Sequence, residues 1–457
     1  MNLRRLNLWI GVAVQCVACA VAGCGETAPE PKYPVVVAPT PSAATSVSAD
    51  TSVQVGVAPA TVAEAMPAEA SEAYAQGFQA WIGGDLASAK KAFSDAAGKA
   101  PKAVAPRYSL GCVLERLGDL QGALDAYRKA VDIMPTFDVA LGAYAMLLAR
   151  TGHSDEAERV LGKSTSSASG SAHLLAVRAE IKSMQGDSPS CQQLAQEALA
   201  KQPDSKDAMV VVARDFYRSH RWDLARYALQ AILDGTPDGA IPARDPGNSE
   251  ALLLRALIER ETPGQRKNAI QDFDAAASRR PDLVEAYVNL GEMKLEAGNA
   301  GEALEPLEKS VKYSPDLAVA HLDLGDCYRL LGRPADAKRE FDRATSLDST
   351  LAGVHYDYGL LYLFSQNVPG AANQDDQLTK AIAELETYRS MRTAKAPKGQ
   401  GAGEDVEELL STAKRKQSEL RMKNAPSPDP AAAPSASASA NSPPPPAGST
   451  VSPSEPK

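Results

Sequence analysis

The chain has 457 residues and a net charge of −9, and 44% of its residues are hydrophobic but only 5% are aromatic. At roughly 100–200 residues per domain, this length fits two to four domains or one long repeat array. It is too long for a small disulfide-stapled protein. The acidic balance argues against a nucleic-acid partner, because nucleic-acid binders carry clustered lysine and arginine.

The amino terminus has the layout of an export signal. Arg4 and Arg5 precede an 18-residue, largely apolar stretch, 6–23, that ends in small residues. A stable membrane span needs about 20 strongly apolar residues, so this stretch is more typical of a secretory signal. We therefore predict a signal peptide over 1–23.

The residues Val21-Ala22-Gly23 before Cys24 resemble the bacterial lipoprotein box. The resemblance implies that Cys24 becomes the first mature residue and carries three acyl chains, palmitate among the expected ones. At about 0.8 kcal/mol per buried CH₂, three chains hold a protein on a membrane almost irreversibly. By the family's sorting rule, Gly25 after the cysteine implies the outer membrane, and we expect the protein to face the periplasm. A soluble secreted protein without lipid is the alternative.

Proline separates two further segments from the rest of the chain. Seven of the 32 prolines lie in 25–67 and ten lie in 425–457. Segments rich in Pro, Ala and Ser with few large apolar residues bury too little surface to offset their ordering entropy. We therefore expect a disordered tether over 24–67, including the lipidated cysteine, and a disordered tail over 425–457.

Between these segments the chain repeats itself, and the repeat predicts the fold. A small residue recurs at intervals of 34 residues in most cases, 35 once and 43 once. Those small residues are Gly77, Gly111, Ala145, Ala179, Ala213, Ala256, Gly291, Gly325 and Gly359.

Two further positions recur with the same period. A glycine follows the small residue after seven positions in most units, at Gly84, Gly118, Gly152, Gly186, Gly298 and Gly332, with Gly264 displaced by one. A large apolar residue follows after sixteen positions, at Phe93, Tyr127, Leu161, Leu229, Leu307 and Phe341.

This pattern predicts two antiparallel helices per unit, with the small residue at their crossing and the glycine ending the first helix. Segments such as 104–137 and 284–317 resemble tetratricopeptide repeats. The resemblance covers 70–391 and implies an all-α fold, a right-handed superhelical solenoid of about nine helix pairs. We expect insertions near 234–248 and 367–377. A helix over 404–424 should cap the last pair, because terminal repeats need a polar outer surface.

In this family one face of each first helix lines a concave groove that binds proteins. Aromatic and arginine side chains are the usual anchors of protein interfaces. The alternative is that the terminal aromatic residues only seal the ends of the core. Carried over unit by unit, the groove holds Tyr74, Phe78 and Trp81 at the amino end, Arg214, Tyr217, Arg218, Arg260, Glu285, Glu292 and Arg329 in the middle, and Tyr356, Leu360, Leu363 and Phe364 at the carboxyl end.

The chain lacks the usual signatures of catalysis. No HExxH or GxSxG motif occurs, and Cys112, Cys191 and Cys327 are widely separated, on predicted repeat helices. We interpret these cysteines as buried thiols. We expect no enzyme activity, no cofactor, no metal site and no small-molecule substrate.

These observations predict a non-enzymatic lipoprotein scaffold that binds other envelope proteins. The long array, tether and tail favour a component of a gliding-motility, pilus or secretion machine. The alternatives are a cell-wall or polysaccharide-export adaptor and a soluble exported regulator.

Overall fold

A computed structural model describes residues 66–165, 171–236, 239–240, 242–395 and 404–424. Within these ranges the chain forms 19 helices and no strand. The all-α prediction is confirmed. The predicted signal peptide, Cys24, nearly all of the predicted tether and the tail lie outside the described residues.

The helices are short and regularly spaced, apart from the last two. They are α1 (Ala68–Ile82), α2 (Leu86–Lys99), α3 (Ala105–Arg116), α4 (Leu120–Ile133), α5 (Asp138–Arg150), α6 (Ser154–Thr165), α7 (Ala172–Met184), α8 (Ser188–Lys201), α9 (Lys206–Arg218), α10 (Trp222–Leu233), α11 (Ser249–Arg260), α12 (Arg266–Arg279), α13 (Val284–Glu296), α14 (Ala300–Tyr313), α15 (Ala318–Leu330), α16 (Pro334–Leu347), α17 (Ala352–Phe364), α18 (Gln374–Lys395) and α19 (Glu404–Asn424).

Consecutive helices pack in nine pairs, from α1–α2 to α17–α18, and each pair also contacts the next. Each odd-numbered helix from α1 to α17 is the first helix of its unit, and the following even-numbered helix is the second. This arrangement confirms the predicted solenoid of helix pairs. Helix α19 packs against α18 at the carboxyl end.

Short turns join the two helices of a unit. Gly84 and Gly118 both have a φ of +73°, a conformation that costs glycine little because it has no Cβ. The next residue then starts the second helix, since the carboxylates of Asp85 and Asp119 accept hydrogen bonds from backbone N–H groups three residues on, each at 3.0 Å. The fifth unit has His220 at this position, with a φ of +57°.

The crossing of the two helices is where the small residue is needed. A Cβ on Gly325 would lie 2.4 Å from Cε1 of Phe341, and one on Gly111 would lie 2.5 Å from Cδ1 of Tyr127. Phe341 is fully buried and Tyr127 nearly so. The large side chain, sixteen residues on, therefore occupies the space that a Cβ at the small position would take.

The insertion of the ninth unit lies between α17 and α18. Gly359 packs against Leu385, which is ten residues later than the usual partner position. The loop spans 365–373, and residues 374–377, which we expected in the insertion, form the first turn of α18. The reason is a cap, because Asn373 Oδ1 accepts a hydrogen bond from the Asp376 backbone N–H at 2.9 Å.

The amino-terminal boundary also differs slightly from the prediction. Met66, assigned by sequence to the tether, packs against a small cluster of Ala70, Ala100 and Ala103. Helix α1 starts directly afterwards, at Ala68.

The helix crossing yields a stability prediction. We expect Gly325→Leu to lower the free energy of unfolding by about 1–3 kcal/mol, because the new side chain collides with Phe341. The control is Gly301→Leu in α14, where a Cβ would meet nothing within 4 Å. Calorimetric melting of both variants checks this, and equal melting temperatures would contradict the assigned packing.

Candidate functional site

The first helices form the inner side of the solenoid. Besides their own partners, first helices of successive units touch each other, at α5–α7, α7–α9, α9–α11, α13–α15 and α15–α17. Helices that approach one another in this way lie on the inside of a curved array. We call the surface formed by the first helices the inner face.

The predicted aromatic residues at the amino end lie mostly within the core. Tyr74 is buried, its ring centroid is 5.4 Å from that of Phe93, and its hydroxyl lies 3.2 Å from Ser109 Oγ. Trp81 is buried in the same hydrophobic cluster, and Phe78 is half-buried against it. Of these three predicted anchors, Phe78 keeps the most accessible side chain.

At the carboxyl end, α18 of the ninth unit and the capping helix α19 contact two of the predicted anchors. The Tyr356 ring packs against Tyr388 of α18 with 5.1 Å between centroids, and Leu363 is buried. Leu360 is half-buried. Phe364 remains 56% exposed, with Lys416 of α19 over its ring at 5.0 Å.

In the middle of the inner face, the predicted arginines are paired with acidic residues. Arg218 and Arg214 contact the two carboxylate oxygens of Glu180 at 2.6 and 3.0 Å. Arg329 pairs with Asp326 on its own helix at 2.6 Å. Tyr217 packs against the neighbouring apolar cluster.

The remaining predicted residues of the middle lie in units six and seven. Arg260 contacts Glu292 at 2.9 Å and Asn289 at 2.7 Å. Glu285 lies one helix turn before Asn289, whose side-chain N–H donates to the Glu285 carbonyl at 2.7 Å.

The pairing around Glu180 continues across several units. Arg214 also contacts Glu250 at 2.7 Å, and Arg280 contacts the other oxygen of Glu250 at 2.6 Å. Arg280 reaches Asp282 at 3.5 Å, and Asp282 lies 3.6 Å from Arg116. Positive and negative groups alternate along this chain. We call it the charge ladder, and its members in order are Arg218, Glu180, Arg214, Glu250, Arg280, Asp282 and Arg116.

The ladder shifts the pKa of its central carboxyl group, that of Glu250. Burial raises the pKa of the Glu250 carboxyl, but Arg214 and Arg280 outweigh it and lower that pKa to about 2. Glu250 is therefore ionised at neutral pH, and its position between two guanidinium groups fixes both arginines. These arginines serve the structure of the inner face first, and a partner would have to displace their own carboxylates.

Sequence analysis predicted Phe364 but missed three other exposed apolar side chains of the inner face. Ile82, Met184 and Leu330 are 41%, 40% and 47% exposed. Each lies five residues after the small residue of its unit, at the position that Phe364 occupies in the ninth unit. The sequence shows this repeated position, but sequence alone does not distinguish an exposed aliphatic side chain there from a core residue. Exposed apolar groups at one repeated position are suited to contact a protein.

The cysteines and histidines of the array are structural. Burial raises the pKa of the Cys112 and Cys327 thiols to about 11 and that of Cys191 to about 12, so the reactive thiolate is scarce at neutral pH. His321 and His355 each place Nδ1 against a glutamate of the second helix, at 2.8 and 2.6 Å.

Among the described residues there is neither a candidate metal site nor a candidate membrane span. No group of three or more His, Cys, Asp and Glu side chains there is arranged to hold a metal ion. None of the helices α1–α19 has the length and hydropathy needed to cross a membrane.

Family models of the tetratricopeptide repeat match residues 114–181 and 294–350 in one case and 74–136 and 262–318 in another. The chain carries tetratricopeptide repeats. Proteins built from these repeats are generally non-catalytic scaffolds that bind other proteins. No curated protein sequence matches the chain.

Solved structures of similar fold share little sequence with the chain. An APC/C hetero-tetramer of Cut9 and Hcn1 is 13% identical with a TM-score of 0.47, and the match covers 75% of this chain and 76% of that one. A monomeric IFIT1 mutant with Gppp-AAAA is 16% identical, with a TM-score of 0.37 and coverage of 76% and 71%. MamA is 18% identical, with a TM-score of 0.31, and the match covers 38% of this chain and 96% of MamA.

The charge ladder yields a prediction about Glu180, whose side chain is 7% exposed. We expect Glu180→Gln to destabilise the protein by about 2–4 kcal/mol, because Arg214 and Arg218 lose their shared carboxylate. The control is Asp223→Asn, which removes a 98% exposed partner of Arg226 and should cost less than about 0.5 kcal/mol. Chemical denaturation measures both, and similar small losses would show that the ladder contributes little to stability.

Proposed function

We propose that this chain is a non-enzymatic lipoprotein scaffold of the bacterial outer membrane. In this proposal the repeat array faces the periplasm and binds other envelope proteins through its inner face. The bound proteins are components of a gliding-motility, pilus or secretion machine.

The observation that best supports protein binding is the row of exposed apolar side chains at one position of the inner face. Ile82, Met184, Leu330 and Phe364 repeat this position in units one, four, eight and nine. Arginine or glutamate fills the same position in the units between them. A partner that binds along the inner face would therefore meet apolar contacts separated by charged ones, the mixture typical of protein interfaces.

The membrane location is supported by the amino-terminal sequence. A basic head, an apolar stretch and Val21-Ala22-Gly23 before Cys24 together fit a lipoprotein signal. In this proposal the segment before Met66 is a tether. For about 43 residues in a coil, the distance between its ends would be roughly 35–40 Å. Such a tether would let the array reach partners that stand off the membrane.

Two other functions remain as alternatives. The inner face of a cell-wall or polysaccharide-export adaptor would hold a wall enzyme or a glycan. A soluble exported regulator would lack the lipid on Cys24. The identity of the bound partner separates the first alternative from the proposal, and lipid labelling separates the second.

The first test places a photo-crosslinking residue at Met184 or at Leu330 in growing cells. We expect adducts with defined envelope proteins, identified by mass spectrometry. The matched control is Tyr227, which is 75% exposed but lies on the second helix α10, away from the inner face. Adducts as strong at Tyr227 as at the other two positions would argue against the inner face. Recovery of wall synthases or hydrolases alone would favour the adaptor.

The second test labels cells with a palmitate analogue. We expect label on the wild-type protein and none on Cys24→Ala, because the thioether and the new amino terminus both require this cysteine. The control is Cys19→Ala, which should keep the label. Label persisting on Cys24→Ala would assign the lipid to another residue, and an unlabelled wild type would refute the lipoprotein proposal.

A further inference from the structure

The last two members of the charge ladder belong to parts of the chain that are far apart in sequence. Arg116 ends α3 in the second unit, whereas Asp282 precedes α13 in the seventh, and their charged groups lie 3.6 Å apart. An ordinary open solenoid has contacts only between neighbouring units. This ion pair therefore joins units that the repeat pattern does not bring together.

Helix α14 makes a second contact of the same kind. The Tyr313 hydroxyl donates a hydrogen bond of 3.2 Å to the carbonyl of Ile82, the last residue of α1. The Lys312 side chain lies over Gly84, where its Cε would be 2.8 Å from an added Cβ. The carboxyl end of α14 thus covers the loop between α1 and α2.

The third contact involves the next turn. Asp316, between α14 and α15, lies over Gly118, and an added Cβ there would be 2.1 Å from its Oδ2. Gly84 and Gly118 therefore have a role beyond their positive φ, since they leave room for side chains from the seventh unit. We call these contacts of the α1–α2 and α3–α4 turns with the segment 282–316 the clasp.

We infer that the solenoid closes on itself through the clasp, and that this closure is a reversible, charge-dependent gate to the inner face. The clasp links the first and second units to the seventh, while the rest of the ladder links the seventh back to the fourth. Units two to seven thus form a closed turn. Near Arg116 on α3, Cys112 and Glu115 both accept hydrogen bonds from the Tyr127 hydroxyl of α4, at 3.5 and 3.0 Å.

The contacts of the clasp are weaker than the packing within the units. It includes a hydrogen bond, an ion pair at 3.6 Å, two close approaches of side chains to glycine and the attraction of Lys312 for Asp85, and among the described residues no buried apolar cluster joins its two sides. Asp282 is buried, but the Arg116 side chain is 26% exposed, so salt reaches the pair from the Arg116 side and weakens it. The clasp should open while the helix pairs remain folded, since local opening follows the weakest contacts.

When the clasp opens, Arg116 and Asp282 move apart, and the consequences for the two charged groups differ. Asp282 keeps Arg280 as a neighbour at 3.5 Å, whereas Arg116 is separated from the carboxylate with which it pairs in the closed state. Arg116 then becomes available to a partner. This last consequence rests on the proposed protein-binding function, but the existence of closed and open states does not.

The test measures the distance between spin labels on the purified full chain without any partner. Labels at Leu120→Cys in α4 and Glu305→Cys in α14 lie on the two sides, at exposed positions. We expect Arg116→Glu to shift the distance distribution to longer values by about 10 Å, the diameter of one helix. The conservative variant Arg116→Lys keeps the positive charge and should retain the short distance.

The matched control is Arg128→Glu, which reverses an exposed charge of the same unit on α4. It should leave the distance unchanged. Raising the salt concentration on the wild-type chain should produce the same shift as Arg116→Glu, and this measurement needs no variant in the ladder. An unchanged distance in both Arg116→Glu and high salt, with helical content retained, would overturn the gate. Failure of the crosslinking or lipid tests would leave this result unaffected.

Discussion

The structure depends on one packing constraint, which glycine meets in five of the nine units. A small residue on the first helix lies against a large side chain on the second, as Gly325 does against Phe341. A protein interior is packed densely enough that one extra methylene group is felt. This contact therefore fixes the distance between the two helices of a unit, and through the regular turns it fixes where each inner-face residue lies. Its demand for Gly and Ala also explains why a chain with a large buried core has so few aromatic residues.

The inner face has a charged centre and apolar side chains towards its ends, and the helix packing keeps the two regions separate. The charge ladder occupies the centre and satisfies its own charges, so its arginines fix the curvature of the array more than they attract ligands. Apolar side chains remain exposed towards the ends, as at Met184 and Leu330. Buried ion pairs are costly to desolvate and are retained where they specify one arrangement. In this protein the arrangement specified is the relative position of units four to seven.

The fold could be read from the sequence because its signals are local. The intervals of seven and sixteen residues after Gly77 or Gly325 place the turn and the packing partner of each unit without reference to distant residues. The site was harder to predict, because the sequence of a first helix does not show whether a later helix packs over its side chains. Tyr356 resembles an exposed groove anchor until α18 and α19 pack against it. The ladder joins Arg116 to Asp282 across 166 positions, which no periodicity reveals.

Helix α19 has a consequence for how such a protein can change length during evolution. Val406 and Leu410 of α19 are buried against Leu385 of α18, and Ala413 joins the core of the last units. A further helix pair added at this end would have to displace that apolar surface and find another cover for it. The array can therefore gain units by duplication inside it more readily than by growth at its carboxyl end. Any internal duplication between the second and seventh units would in turn move Arg116 away from Asp282, so the number of units there is tied to the closure of the turn.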